Sequence, residues 1–567
     1  MTVWVQGGTA AFVSAGQNAT IDDGKVLQNG SSAGDADREF AFKFMLTGCP
    51  ASGCNLMMGW TGHIASDADW GTGKGAASIS GAPFHMRILG VDQVDGTSGG
   101  NQDRSVQLAA LVQTLEVKKA LVPTTDPGLF NLQIDGVTAG TGTNVGNGGT
   151  TGQIVVTAAT HAVGETQGTN TTLSNYTTAI SCVDALGNPV ASGSGTSLSV
   201  TVTAGANVVC TITNTRNASL QIEKSTAGGT ASFDYTVSGS GLAAFSRNTA
   251  TQGNPTVTTP FTFNGSQFGD KYVTETALAG WTLTNVVCTA NGATFAIGTG
   301  QGAGFSQGAT AGFDPGDNTV KVTVAAGNTP SCTFTNTHNA SLGIEKATTG
   351  GTATFSYTVS GSGLAAFSRN TATQGNPTVT TAFPFDGTQL GDKYVTETAL
   401  AGWTLTNIVC TANGATTLIG TGQGGSFSQG ATAGFDPGDN TVKVTVAAGN
   451  TPTCTFTNTQ SASLGIEKAT TGGTATFSYN GTGSGVPATF TRNTGTTNPT
   501  TDAAFAFDGT QLGDKFAEET PLPGWTLTNI VCTANGATFA IGTGQGGSFS
   551  QGATAGFDPG DNTVKVT

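Results

Sequence analysis

Leu220-Gln221-Ile222-Glu223-Lys224, Val273-Thr274-Glu275-Thr276-Ala277-Leu278-Ala279-Gly280-Trp281 and Cys332-Thr333-Phe334-Thr335-Asn336 decide the reading of this 567-residue chain. The first and last runs alternate apolar with polar residues at period two, the period of a strand with one buried face. Parity then assigns faces. Leu220, Ile222 and Lys224 share one side of their strand, Val273 and Glu275 one side of theirs, and Phe334 and Asn336 one side of theirs. One Lys, one Glu and one Asn thus point toward the apolar interior from three strands. A lone buried Lys is costly unless it is paired or neutralised, so the three side chains are expected to converge.

Working outward, the same stretch recurs. Ala218-Ser219-Leu220 returns at Ala340-Ser341-Leu342 and Ala462-Ser463-Leu464, and Trp281, Trp403 and Trp525 keep the same period, as do Cys288, Cys410 and Cys532. That period has the length of a whole domain, so the chain reads as a tandem array rather than a solenoid. A diverged copy lies upstream: Leu115-Glu116-Val117-Lys118-Lys119, Phe130 to Gly136, Val163-Gly164-Glu165-Thr166 and Cys210 to Asn214 match the corresponding segments. The expected modules are 113–216, 217–338, 339–460 and 461–567, preceded by a β-rich head domain over 1–112. Thr567 falls in phase with Thr323 and Thr445, so the strand bearing the next Cys and Asn is expected beyond it. The head domain is likewise expected to lack an N-terminal part, since residues 1–4 resemble no leader sequence.

Composition limits the function. Charged residues are 10% of the chain, the net charge is −14 and glycine is abundant at 85 residues. No Lys/Arg cluster is present to meet phosphates, which excludes a nucleic-acid binder. No apolar run reaches about 18 residues, so no transmembrane segment is expected. Helical periodicity is confined to a weak stretch around Leu108 to Val117.

Nine cysteines pair by spacing: Cys49 with Cys54, Cys182 with Cys210, Cys288 with Cys332 and Cys410 with Cys454, leaving Cys532 over. No CxxC pair suggests zinc, so disulfides are expected, and with them an oxidising, extracellular or cell-surface location. No metal or cofactor is expected.

The signature Leu-x-Ile-x-Lys, then Val-Thr-Glu-Thr-Ala-Leu-Ala-Gly-Trp, then Phe-Thr-Asn-Thr resembles the prealbumin-like, Cna B-type domains of bacterial pilins and adhesins, over residues 113–567. The resemblance implies tandem, antiparallel, Ig-like β-sandwiches of about seven strands, with Trp281 and Trp403 mostly buried at a corner. It also implies that the first-strand Lys and last-strand Asn condense into an isopeptide bond promoted by the Glu. The sets would be Lys119, Glu165 and Asn214; Lys224, Glu275 and Asn336; Lys346, Glu397 and Asn458; and Lys468 with Glu519, which lacks its Asn. In this chemistry burial leaves a neutral Lys amine as nucleophile, and a protonated Glu polarises the Asn amide. The alternative is a buried Lys–Glu salt bridge with the Asn capping a turn.

Two regions stand apart. Asp314, Asp317 and Asn318 follow a Gly-rich insertion; Asp-Pro-Gly-Asp is turn chemistry, with Ca²⁺ ligation as the alternative. In the head domain His63, Asp67, Asp69, His85 and Asp103 are candidate metal ligands on turn-rich segments. The implied function is an extracellular stalk or adhesin shaft, meeting an unidentified receptor, glycan or matrix partner. The alternative is a binding or hydrolytic head carried on a repeat spacer. No turnover enzyme is expected beyond the intramolecular condensation.

Overall fold

In the computed structural model the described residues are 2–6, 9–16, 41–59, 84–88, 91–92, 98–99, 102–106 and 112–567. They form strands, turns and short 3₁₀ turns, with no α-helix among them. The weakly periodic stretch ending at Val117 runs, from Thr114, into strand Thr114–Val122. Its alternation of buried and less buried residues outweighs the faint helical pattern.

Module 2 shows the plan. Its strands are β1 (Ala218–Ala227), β2 (Ser232–Ser238), β3 (Phe245–Asn248), β4 (Phe261–Phe263), β5 (Gly269–Glu275), β6 (Trp281–Thr289), β7 (Thr294–Thr299), β8 (Ser306–Gln307), β9 (Thr319–Val324) and β10 (Ser331–His338). They build a four-stranded sheet, β4-β1-β10-β6, and a six-stranded sheet, β3-β2-β5-β9-β7-β8. Leu220, Ile222 and Phe334 from one sheet pack with Phe233, Tyr235, Val273, Val320 and Val322 from the other. Each large apolar side chain removed from water contributes roughly 1.5–3 kcal/mol.

Ten strands stand where about seven were expected. The short pair β7 and β8 comes from the Gly-rich insertion, which folds back on β9. Pairing is antiparallel except between β1 and β10, which run parallel, with Lys224 opposite Phe334 and Thr226 opposite Asn336. Two neighbours running the same way need a long crossover, and here the rest of the module supplies it.

Module 3 repeats both sheet orders. Module 1 uses a five-stranded and a four-stranded sheet, again with its first and last strands parallel. Residues 461–567 form the six-stranded sheet and a two-stranded pair, Ala462–Leu464 with Phe505–Phe507. The described strands before residue 112 make four two-stranded antiparallel pairs.

Neighbouring modules touch through a repeated contact. The Gly387 amide donates to Thr282 Oγ1 at 3.1 Å and the Gly509 amide to Thr404 Oγ1 at 2.8 Å. A Cβ on Gly387 would sit 2.7 Å from the Thr337 Cβ, so only glycine brings the turn this close.

Trp281 and Trp403 are half-buried rather than mostly buried. Each opens an edge strand of its sheet, and an edge covers a large ring on one side only. Trp281 meets Phe233 edge-on at 5.4 Å, and His338 lies 4.7 Å from it.

Candidate functional site

Strand parity carries three polar side chains into the module 2 core. Lys224 on β1 and Asn336 on β10 are adjacent because these strands pair, and Glu275 ends β5 in the facing sheet. Their exposures are 0%, 2% and 3%. Lys224 Nζ donates to Glu275 Oε2 at 2.6 Å and to Asn336 Oδ1. Asn336 Nδ2 donates to Glu275 Oε1 at 2.6 Å. The amine also lies 4.1 Å from the centre of the Phe233 ring. Burial pushes the Lys224 amine down to about 8, and the nearby Glu275 carboxylate opposes that shift.

Module 3 has the same arrangement. Lys346 Nζ donates to Glu397 Oε2 at 2.9 Å and to Asn458 Oδ1, and Asn458 Nδ2 donates to Glu397 Oε1 at 2.6 Å. Burial brings the Lys346 amine to about 8 as well.

In module 1, Lys119 pairs with Glu165 at 2.8 Å and donates to the Ile212 carbonyl at 3.2 Å. Burial lowers the Lys119 amine to about 8. Asn214 is fully buried, and neither of its amide atoms has a hydrogen-bond partner among the described residues. An unpartnered buried amide costs free energy, so this site differs from its two counterparts. Lys468 Nζ reaches both oxygens of Glu519 at 2.7 Å.

Two groups were not singled out in the sequence. Tyr235, Tyr357 and Tyr479 donate their phenol hydroxyls to the Oε2 of Glu275, Glu397 and Glu519, at 3.0, 3.1 and 2.9 Å. Lys271 is also buried, on the same face of β5 as Val273 and Glu275, and donates to the Gln267 carbonyl at 2.5 Å. The parity rule that found Glu275 also marks Lys271, whereas the tyrosines read as ordinary apolar core.

Disulfides join Cys49 to Cys54, Cys182 to Cys210, Cys288 to Cys332 and Cys410 to Cys454. Cys532 is free. The last three bridges in chain order tie each module's final strand to the neighbour opposite its first strand.

The Asp314 carboxylate accepts from the Thr310 amide at 2.7 Å, and Asp317 Oδ2 accepts from the Asp314 amide at 2.8 Å. These are turn contacts. His63, Asp67 and Asp69 lie outside the described residues. His85 and Asp103 sit on the paired strands Phe84–Ile88 and Gln102–Val106.

A family model described as a prealbumin-like fold domain matches residues 220–338, 342–460 and 464–565, and a second of the same description matches 125–216. No curated protein matches the chain. Among solved structures, the pilus adhesin SpaC from Lactobacillus rhamnosus GG in its open conformation is 14% identical, with a TM-score of 0.20; the match covers 82% of this chain and 56% of that one. The major pilin protein T-13 from Streptococcus pyogenes is 16% identical, with a TM-score of 0.14 and coverage of 43% and 97%. The chain thus spans little more than half the length of the pilus adhesin. With more than half of its residues matched in three successive copies, the chain belongs to the family of prealbumin-like fold domains.

Proposed function

We propose that this chain is an extracellular stalk or adhesin shaft whose modules are clamped by a disulfide and by a Lys–Asn isopeptide bond. The observation that carries the reading is the buried contact of Lys224 with Glu275 and Asn336, repeated at Lys346. The bond would join the first strand of a module to its last, the two that continue into neighbouring modules. The disulfides support export, and repetition of one module supports a role in length rather than in turnover. The partner at the tip of such a shaft would be a surface receptor, glycan or matrix component.

The chemistry balances. Moving one proton from Lys224 to Glu275 turns the ion pair into an amine and a carboxylic acid, the form that burial favours. Lys224 Nζ attacks Asn336 Cγ, the Cγ–Nδ2 bond breaks, and a new Nζ–Cγ amide remains. The amine gives a proton to Oε2, while Oε1 delivers its own to Nδ2, which leaves as ammonia. The carboxylic acid is regenerated, so each module reacts once.

Intact-mass measurement and peptide mapping of the full chain test this. The expected result is loss of one ammonia at module 2 and one at module 3, each abolished by Glu275→Ala or Glu397→Ala respectively. An unchanged mass, with Lys224 and Asn336 in separate peptides, would leave a buried salt bridge and overturn the covalent reading.

A further inference from the structure

The phenol of Tyr235 is not accounted for by the condensation. It is 1% exposed, sits across from Glu275 in the β2–β5 pairing, and donates to Oε2 at 3.0 Å. Its ring is held independently, stacked on Phe245 at 4.8 Å and edge-on to Phe334 at 5.3 Å. The hydroxyl therefore arrives at the carboxyl from a fixed direction. Tyr357 repeats this contact on Glu397 and Tyr479 on Glu519.

The two carboxyl oxygens have different neighbours. Oε2 faces Lys224 and the phenol; Oε1 faces the Asn336 amide. In a neutral carboxylic acid only one oxygen carries hydrogen, and the other accepts. Oε2 accepts from both the Lys224 amine and the phenol, whereas Oε1 accepts only from the Asn336 amide. Once attack on Cγ gives Nδ2 an accepting lone pair, the phenol on Oε2 favours the carboxyl proton on Oε1, where the leaving nitrogen needs it.

We infer that Tyr235 and Tyr357 are positioning residues for the isopeptide condensation, holding the Glu so that its proton faces the Asn amide. The inference rests on the isopeptide reading above. Module 1 provides a natural contrast. Leu132 occupies the position across from Glu165, and the hydroxyl near that carboxyl comes from Thr178 instead, at 3.4 Å and on Oε1. Module 1 therefore lacks a phenol on Oε2, and any link between Lys119 and Asn214 should form more slowly than those of modules 2 and 3.

Cell-free synthesis of the full chain under oxidising conditions, quenched at intervals in denaturant and mapped by mass spectrometry, tests this. Tyr235→Phe keeps the ring and removes only the hydroxyl, while the Lys346–Asn458 link of the same molecule serves as an internal clock. The Lys224–Asn336 link should form roughly tenfold more slowly, the size expected of one lost hydrogen bond. The groups facing Glu275 that titrate or carry charge are Lys224 on β1, Tyr235 on β2 and, through Tyr235, Arg247 on β3. An acid that has lost a donor holds its proton more tightly, so the alkaline limb of the rate profile should move to higher pH.

Equal rates in both modules overturn the tyrosine role and leave the isopeptide intact. A slower rate with an unmoved pH limb also overturns it, because lost packing alone would do that. Absence of both links from the unsubstituted chain overturns the isopeptide reading itself. Tyr357→Phe, with module 2 as clock, repeats the test should Tyr235→Phe impair folding.

Discussion

Stretching modules 2 and 3 between attachment points at residues 217 and 460 of the full chain gives a length that depends on which cross-links exist. Lys224 and Asn336 are 112 residues apart, as are Lys346 and Asn458. Joined, they divert load from β1 straight to β10, and the residues between them cannot extend. With Glu275→Ala and Glu397→Ala the bonds do not form, and only the disulfides restrain the chain. Each holds back the 44 residues between its cysteines, leaving a difference of 68 residues per module. An extended chain spans about 3.4 Å per residue, so each variant module should lengthen in one step of roughly 230 Å, rising to roughly 380 Å after reduction. Single-molecule force spectroscopy reads these steps directly. The unsubstituted chain should show neither step, reduced or oxidised. Steps of about 230 Å from the unsubstituted chain would refute the clamp.

Further outcomes follow from the same contacts. Burial holds the Lys224 amine at about 8 against its ordinary 10.5. Asn336→Ala cannot cross-link and keeps Glu275 beside the amine, so its unfolded state should bind more protons than its folded state between these values. Module 2 of that variant should therefore gain stability as pH rises from about 8 toward 10.5, as chemical denaturation at each pH would show. A flat profile would mean the lysine is not buried as described. Lys468→Met removes one partner of the Glu519 pair and should destabilise residues 461–567 by about 3–5 kcal/mol, measured by urea unfolding. Gly387→Val places side-chain atoms on the Thr337 Cβ; small-angle scattering should then show a wider spread of arrangements of modules 2 and 3, with each module's own unfolding midpoint unchanged.

Much of the fold was legible because a strand has a strict period of two. Once Ile222 and Phe334 are assigned inward, Lys224 and Asn336 must follow, and no other property of these residues is needed. The 122-residue repeat then carried the same assignment to modules 3 and 4, and the segment-by-segment match of the diverged copy carried it to Lys119, Glu165 and Asn214 in module 1. What escaped notice depended on two dimensions rather than one. Ser306–Gln307 became a strand because a glycine-rich hairpin folds back on Gly298 and Thr299, and composition alone marks that stretch as turn. Trp281 was expected to be mostly buried at a sandwich corner after the Glu-bearing strand, but sheet order puts its strand at an edge. Tyr235 was legible as a core ring, whereas its hydroxyl gains meaning only once the β2–β5 register sets it opposite Glu275.

The disulfide and the proposed isopeptide would not be redundant, because they close different loops. The Cys288–Cys332 loop lies wholly within the Lys224–Asn336 loop, so an intact isopeptide leaves the disulfide no axial load. What the disulfide does is lateral. It fixes β10 against β6 on one side, while the proposed isopeptide would fix β10 against β1 on the other. The parallel β1–β10 pair has no direct turn to hold its register, and a slip of one residue would turn Asn336 outward. Cys332, four residues before Asn336 and opposite Cys288, sets the register of β10 from its antiparallel neighbour. The bridge therefore keeps Asn336 on the inward face where Lys224 and Glu275 wait, and a chain lacking Cys288 and Cys332 should form the Lys224–Asn336 link more slowly. Peptide mapping of the Cys288→Ala/Cys332→Ala chain over time, with module 3 as reference, measures this. Linkage at the same pace in both modules would show that the core residues Ile222 and Phe334 hold the register without the bridge.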